Sequence, residues 1–378
     1  MACWSGLGYF IWQSLARRGI EVELIGQLSL PSAIRKAMAV KQLFHAKVAR
    51  DVYLPEHDVM ASKAYGRQVW QRLQGLRHIE AVVSPGAIPV AYLPGNMPLV
   101  TVSDATHRLL FASYPAYKDL SAASRRHGDR IERAAIKRAS ASVFASEWAA
   151  ASAIRDYSAE PARVHVVPFG ANFEHQPARE DVVRAIDARA SDKIQLLFIG
   201  VEWERKGGPV ALQVLRTLVK QGVPAHLTVV GCEPAISHED ASHVSVRGFI
   251  EKTTAGQEEI HGLLGKSHFL IVPSEAECYG LVYCEASALG VPSIARKVGG
   301  VSTIITNNGN GRLFELQDNA AHIARWIVET TGSPATYRRL ALASLAEYES
   351  RLNWVVAGEK LERILRRAIG NARQRNAY

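Results

Sequence analysis

The stretch IQLLFIGVEWERKGGPVALQVLRTLVKQG, residues 194–222, decides the fold. It opens on six residues without a charge, nearly all apolar, as in a strand buried on both faces. Gly200 ends that run. Arg205-Lys206-Gly207-Gly208 then lead into PVALQVLRTLVKQG, 209–222, where apolar residues recur at roughly helical spacing and Gly222 is a natural stop. Strand, glycine turn and helix make the repeating unit of a parallel, doubly wound sheet.

The same alternation runs through most of the chain. In the first half, strands are expected at EVELIG (21–26), AVVSPG (81–86), PLVTVSD (98–104), ASVFAS (141–146) and VHVVPFG (164–170). In the second half they are expected at IQLLFIG (194–200), AHLTVVG (225–231), VSVRGFI (244–250), HFLIVPS (268–274), VPSIAR (291–296) and GRLFE (311–315). The polar segment QPAREDVVRAIDARASD, 176–192, carries no strand and separates the two series. The fold class is therefore α/β with two Rossmann-like domains, 1–183 and 184–352, followed by a helical tail, 353–378. A length of 378 residues agrees with two domains. One strand is out of place. The chain begins almost at its first glycine turn, MACWSGLGYF, so the strand that should precede this turn in the middle of the first sheet is expected to be missing.

Hydrophobic residues make up 48 % of the chain, enough for packed cores, yet no apolar run is long enough to span a membrane. No signal peptide is visible. Cys3, Cys232, Cys278 and Cys284 form no CxxC pair and no zinc-ligand spacing, which fits a reduced, cytoplasmic protein without a metal site. The net charge of +9 is uneven: +7 over residues 1–190, −2 over 191–352 and +4 over 353–378. Residues 32–50 hold Arg35, Lys36, Lys41, Lys47 and Arg50 with no acid. They read as a basic helix that fits an anionic membrane surface or an acidic acceptor, and equally a solvated face of a basic protein. No recognition motif accompanies the charge, which argues against nucleic acid.

Two loops carry the chemistry. Arg205 and Lys206 sit ahead of a helix N-terminus, where free amides and the helix dipole favour an anion. Arg offers a fork and Lys a point charge, which would suit a diphosphate; a solvated turn with two surface cations fits the local pattern equally well. The second loop lies in PSEAECYGLVYCEASALG, 273–290, after another apolar strand. Gly280 permits close backbone approach, and the helix is expected to begin near Leu281, so that the amides of Gly280, Leu281 and Val282 face the crevice. Glu277 precedes that helix and Glu285 lies about one turn inside it. An ionised carboxylate only accepts hydrogen bonds and can take both hydroxyls of a vicinal diol. Two carboxylates flanking an anion-binding helix end match a sugar nucleotide, whereas one alone would merely complement the helix dipole.

The pair of glutamates within SEAECYGLVYCEASALGVPSIARKVGGVSTII resembles the donor-site motif of the retaining GT-B glycosyltransferases, glycosyltransferase family 4 or "glycosyl transferases group 1". The resemblance extends to IGVEWERKGG, to SEWAAASAIRDYSAEPARVHVVPFGAN (146–172) and to WSGLGYFIWQSLARRGIEVELIG (4–26), and so to nearly the whole chain. It implies an acceptor-side first domain, a nucleotide-sugar-binding second domain, and a C-terminal helix, 353–378, crossing back to the first. It implies that Glu285 binds the ribose hydroxyls and Glu277 those of the donor sugar. Tyr279, Gly280, Leu281 and Val282 would line the sugar and phosphates with their backbone. Arg205 and Lys206 would neutralise the diphosphate leaving group, and Phe249 and Ile250 would sit at the base-binding edge. His107, in TVSDATHRLL, resembles the family's active-site histidine near the transferred sugar, and Gly6 and Gly8 match the glycine turn facing the donor. Many members carry Arg directly after the strand glycine; here Val201 stands there, with Arg205 nearby as a substitute charge. Tyr279 stands where Phe is common.

The expected activity is transfer of a sugar, with retention, from a UDP or GDP sugar to an acceptor hydroxyl, with no required metal or cofactor. The expected acceptor is a sugar, glycolipid or lipid-linked molecule of polysaccharide or glycolipid synthesis, met at the cytoplasmic face of a membrane. A GT-B phosphorylase or epimerase, or a truncated remnant that binds a sugar nucleotide without catalysis, are the other readings of the same fold.

Overall fold

The computed structural model of the chain describes residues 6–189, 192–251 and 253–376. The chain divides into two compact units: Met1–Pro168 together with Ala357–Tyr378, and Phe169–Val356. The polar segment 176–192 lies inside the second unit and carries the helix Arg179–Asp187.

Among the described residues the first unit holds four strands: β1 (Val82–Pro85), β2 (Leu99–Ser103), β3 (Ala141–Phe144) and β4 (Val164–Val166). They pair in chain order, all parallel. β3 is buried along its whole length and β2 along all but its last residue, which is why both read as unbroken apolar runs. The expected strand at Glu21–Gly26 does not form. Residues 20–31 are irregular. A strand needs a neighbour for its amides and carbonyls, and this segment finds side chains instead. The guanidinium of Arg72 donates to the carbonyls of Gly26 and Gln27, and the amide of Gln68 donates to Ser29 O at 2.7 Å. Both donors lie on the helix Val59–Gln74, and Ile25 and Leu28 pack on the cluster of Val69, Leu73 and Leu99 beneath. The strand expected to be missing would precede Gly6, where Met1–Ser5 lie outside the described residues.

In the second unit all six expected strands form: β5 (Ile194–Ile199), β6 (Ala225–Val230), β7 (Val244–Val246), β8 (Phe269–Ile271), β9 (Ser293–Arg296) and β10 (Gly311–Phe314). The sheet is parallel, in the order β10-β9-β8-β5-β6-β7. The chain lays β5, β6 and β7 outward, then returns to lay β8 on the other side of β5. The order reverses between β5 and β8, and in such sheets ligands bind beyond the carboxyl ends of the strands at that point. The helix Gly208–Lys220 follows β5 and buries Ala211, Val214, Leu215 and Leu218, one stripe at helical spacing.

The helix Trp354–Asn376 starts in the second unit, and its residues from Ala357 onward belong to the first. In the second unit its start is pinned: the Trp354 indole donates to Asn172 Oδ1 at 3.0 Å and stacks on Phe169. In the first unit Gly358 lies so close to the Ser14 carbonyl that a Cβ would approach it to 2.9 Å, and Arg18 pairs with Glu362 at 2.6 Å.

Leu218 is fully buried in this stripe. Leu218→Ala is expected to destabilise the protein by about 2–5 kcal/mol, read as a lowered midpoint in urea or thermal unfolding.

Candidate functional site

The loops that leave β5 and β8 are the two that the sequence singles out, and the sheet order makes their strands neighbours. Lys206 Nζ donates to Glu277 Oε2. Both side chains are largely buried, and Ser274 Oγ donates to the same carboxylate oxygen at 3.5 Å. A buried carboxylate without a partner costs several kcal/mol, so the apolar run carries Glu277 because Lys206 comes from the next strand to meet it. Arg205 is held differently. Its fork takes Glu202 through Nε at 2.9 Å and Nη2 at 2.7 Å, while Nη1 donates to Ala276 O at 2.9 Å. The backbone adds a bond from Glu275 N to Arg205 O at 2.8 Å. The two loops are thus stapled side by side.

A glycine makes this approach sterically possible. Gly207 is in the left-handed conformation (φ 78°) at the start of its helix, and a Cβ there would overlap the Pro273 carbonyl. Gly280 is also left-handed (φ 96°) and caps the helix Leu281–Ala288 without a side-chain bond. A Cβ at Gly280 would lie 2.5 Å from the Tyr283 ring. The amides of Leu281 and Val282 open this helix, where no earlier turn of it offers a carbonyl. Glu285 is half-buried at its fifth residue. Tyr279 turns its side chain inward: it is buried, and its hydroxyl donates to Phe169 O at 2.9 Å. Only the Tyr279 backbone is left for the loop surface. Burial pushes the neighbouring Cys284 thiol up to about 12, which removes it from thiolate chemistry.

Gly200, Gly231 and Gly248 follow the ends of β5, β6 and β7 and lie in contact: Gly200 N donates to Val230 O at 2.9 Å and Gly231 N to Gly248 O at 2.7 Å. They form a shelf of glycine backbone at the carboxyl edge, with Gly200 and Gly248 buried, the Lys206 stem against Gly200 and Glu233 against Gly248. Phe249 and Ile250 follow the shelf, and Phe249 is 66 % exposed. Sequence reasoning gave no role to Gly299 and Gly300. Gly299 lies where a Cβ would overlap the Glu277 carbonyl, and Gly300 N donates to Cys278 O at 3.1 Å. Their only signal was the adjacent pair of glycines in KVGGV.

In the first unit His107 is the first residue of the helix His107–Ser113, just beyond β2, and Thr106 caps that helix. The ring is 7 % exposed. Its Nδ1 lies 2.6 Å from Glu132 Oε2, which also accepts from the His107 amide at 3.3 Å. A carboxylate only accepts, so Nδ1 is the donor in this bond. Glu132, on the helix Ala122–Arg138, was missed because nothing local relates it to a residue 25 positions away. The His57 ring stands edge-on to His107 at 4.8 Å, and its buried Nδ1 has no hydrogen-bond partner. Gly6 caps the helix Leu7–Ala16 in the left-handed conformation, and Gly8 is its second residue. Among the described residues no group of three or more His, Cys, Asp or Glu could hold a metal ion.

Residues 193–331 match the family model described as "Glycosyl transferases group 1". A D-inositol 3-phosphate glycosyltransferase of Gordonia bronchialis is 23 % identical over 82 % of this chain and 72 % of its own length. D-inositol 3-phosphate glycosyltransferase 1 of Catenulispora acidiphila is 28 % identical over 58 % of this chain and 55 % of its own. This chain thus spans between half and three-quarters of these curated relatives. Among solved structures, WaaG, a glycosyltransferase involved in lipopolysaccharide biosynthesis, superposes with a TM-score of 0.60 at 16 % identity, covering 94 % of both chains. Anabaena HepE, solved in complex with UDP and glucose, superposes with a TM-score of 0.54 at 15 % identity, covering 94 % of this chain and 88 % of its own. The architecture, two parallel-sheet α/β units, is that of GT-B glycosyltransferase structures.

Gly280→Val combines a left-handed backbone with a clash against Tyr283 and is expected to cost at least about 2 kcal/mol, read by thermal unfolding. A second prediction concerns pH. Burial, with the neighbouring His107, pushes His57 from 6.5 down to about 3. Between these values the unfolded chain binds a proton that the native state does not. This contribution is complete above the unfolded value and is lost as pH falls, by up to about 1.4 kcal/mol per pH unit. Urea unfolding at about pH 7 and about pH 5 should show this slope, and His57→Gln should flatten it.

Proposed function

We propose that the chain is a retaining glycosyltransferase of the family 4 type, moving a hexose from a nucleoside-diphosphate sugar to an acceptor hydroxyl. The observation that carries this reading is the Lys206–Glu277 pair at the switch point of the second sheet, set before two helix N-termini. In this reading Lys206 is the cation for a diphosphate and Glu277, beside it, the acceptor for sugar hydroxyls, beyond the carboxyl ends of strands where such sheets bind ligands. In this reading the diphosphate replaces Glu277 as the partner of Lys206. Glu277 then accepts from hydroxyls of the donor sugar, and Glu285 from those of the ribose. The amides of Leu281 and Val282 meet the phosphates, and the edge at Phe249 and Ile250 admits the base. Arg205, held by Glu202, adds positive potential to the loop more than a direct contact. For His107 the proposed role is a hydrogen bond to the transferred sugar through Nε2, with Glu132 fixing its ring.

The acceptor oxygen attacks the anomeric carbon from the face the phosphate leaves. The bond from that carbon to the phosphate oxygen breaks, its electron pair goes to the diphosphate, and the acceptor proton passes to the departing phosphate. Lys206 and the helix-end amides stabilise the developing charge, and this scheme calls on no metal ion. A lipid-linked or glycolipid acceptor in polysaccharide or glycolipid synthesis suits the basic first half of the chain.

The test is calorimetric binding of UDP, GDP, ADP and their sugars to the full chain, followed by turnover with candidate acceptors. One nucleotide should bind selectively, and Glu285→Ala should weaken it at least about ten-fold. Glu277→Gln should keep the nucleotide and the fold while turnover falls by about 10²–10³-fold. Full turnover in Glu277→Gln would remove its assigned role, and no nucleotide binding at all would favour the non-catalytic remnant.

A further inference from the structure

Residues Ser32–Phe44 form a helix that continues into a π-helical turn, His45–Ala49, in the first unit. Its inner face accounts for how it is held. Met38 is buried and receives the Tyr53 hydroxyl at 3.8 Å, Lys41 pairs with the buried Asp58 at 2.8 Å, and His45 stacks on Tyr53 at 4.9 Å. The outer face has no such explanation. Val40, Leu43, Phe44 and Val48 are 68 %, 56 %, 54 % and 67 % exposed. Val40, Leu43 and Phe44 stand at i, i+3 and i+4, so they form one stripe, with Val48 a turn beyond. Lys36 precedes Val40 by four residues and Lys47 follows Leu43 by four, so cations continue the same row; both are exposed. No acid occurs in residues 32–50.

Apolar side chains standing in water on the face opposite the core mark an interaction surface. Its charge decides the partner. A dry protein groove would have to supply a fixed carboxylate for each lysine in the row. A fluid anionic headgroup layer offers charge wherever the lysines fall and an apolar phase directly beneath. The charge distribution agrees: residues 1–190 carry +7 and residues 353–378 carry +4, while 191–352 carry −2. We propose that this face seats on an anionic lipid surface, with Leu43 and Phe44 entering the acyl boundary and Lys36 and Lys47 at the level of the phosphates. No helix among the described residues is long and apolar enough to cross a membrane, so the contact is interfacial. This inference does not depend on the donor-site reading, because vesicle binding is measured without turnover.

The experiment is co-sedimentation of the full chain with phosphatidylcholine vesicles, with and without a minority of phosphatidylglycerol, at low and high salt. The chain should bind the anionic vesicles and release them in high salt. Each surface cation contributes roughly five-fold to such partitioning, so Lys36→Gln with Lys47→Gln should weaken it by on the order of 25-fold. Leu43→Ser with Phe44→Ser should weaken it by at least about ten-fold even at low salt. The melting temperature should hold in both variants, since all four side chains are exposed. Absence of binding, or equal binding by the native chain and both variants, would overturn the proposal. So would light scattering in which Leu43→Ser with Phe44→Ser dissolves an oligomer, because the stripe would then be a self-association face.

Discussion

The ion pair between Lys206 and Glu277 is the constraint around which the second unit is arranged. Neither side chain could be buried alone, since an uncompensated charge in such a place costs about 3–5 kcal/mol. Each comes from the carboxyl end of a different strand, so the pair forms only when β5 and β8 lie side by side, which is the arrangement at the reversal of strand order. The pair is also the feature a polyanionic ligand would act on. Under the proposed function a diphosphate would take Lys206 from Glu277 and leave that carboxylate to accept hydroxyls, so the charges that tie the two loops together would become the charges that hold a ligand.

Close backbone packing makes the pair possible. Gly207 sits against the Pro273 carbonyl and Gly299 against the Glu277 carbonyl, at separations that leave no room for a methyl group. A second set of ties fixes the same loop from behind. The Tyr279 hydroxyl reaches the Phe169 carbonyl, and Phe169 stacks on Trp354, where the final helix begins. The loop bearing Glu277 is therefore gripped by Arg205 and Lys206 on one side and by the segment 169–172 through Tyr279 on the other. Its geometry is set before any ligand arrives, which lowers the ordering cost of binding.

The first unit organises its histidine by the same logic. His107 is placed by a helix start and held by Glu132 from another helix, while His57 stays neutral against it because burial disfavours its charged form. The segment 20–31 shows the opposite case. Its apolar residues reach the core, but its carbonyls are met by Arg72 and Gln68 and not by a strand.

What the sequence determined by itself is the part written in local patterns. The strands of the second sheet, the helix after Gly207, the helix beginning at Leu281 and the two separate loops that carry the cations and the glutamates all follow from periodicity, glycine placement and residue chemistry within short windows. EVELIG failed as a strand because a β pattern states only a preference, and pairing must be supplied by a neighbour elsewhere in the chain. The tertiary structure alone decided the partners. Lys206 is 71 residues from Glu277, Glu132 is 25 from His107, and Tyr279 is 110 from Phe169. It also showed that Tyr279 points into the core, that Arg205 is taken by Glu202, and that Val40, Leu43, Phe44 and Val48 stand in water. Burial and ion pairing depend on which chain segments are brought together, and that information is carried by the packing of whole elements rather than by any short stretch of residues.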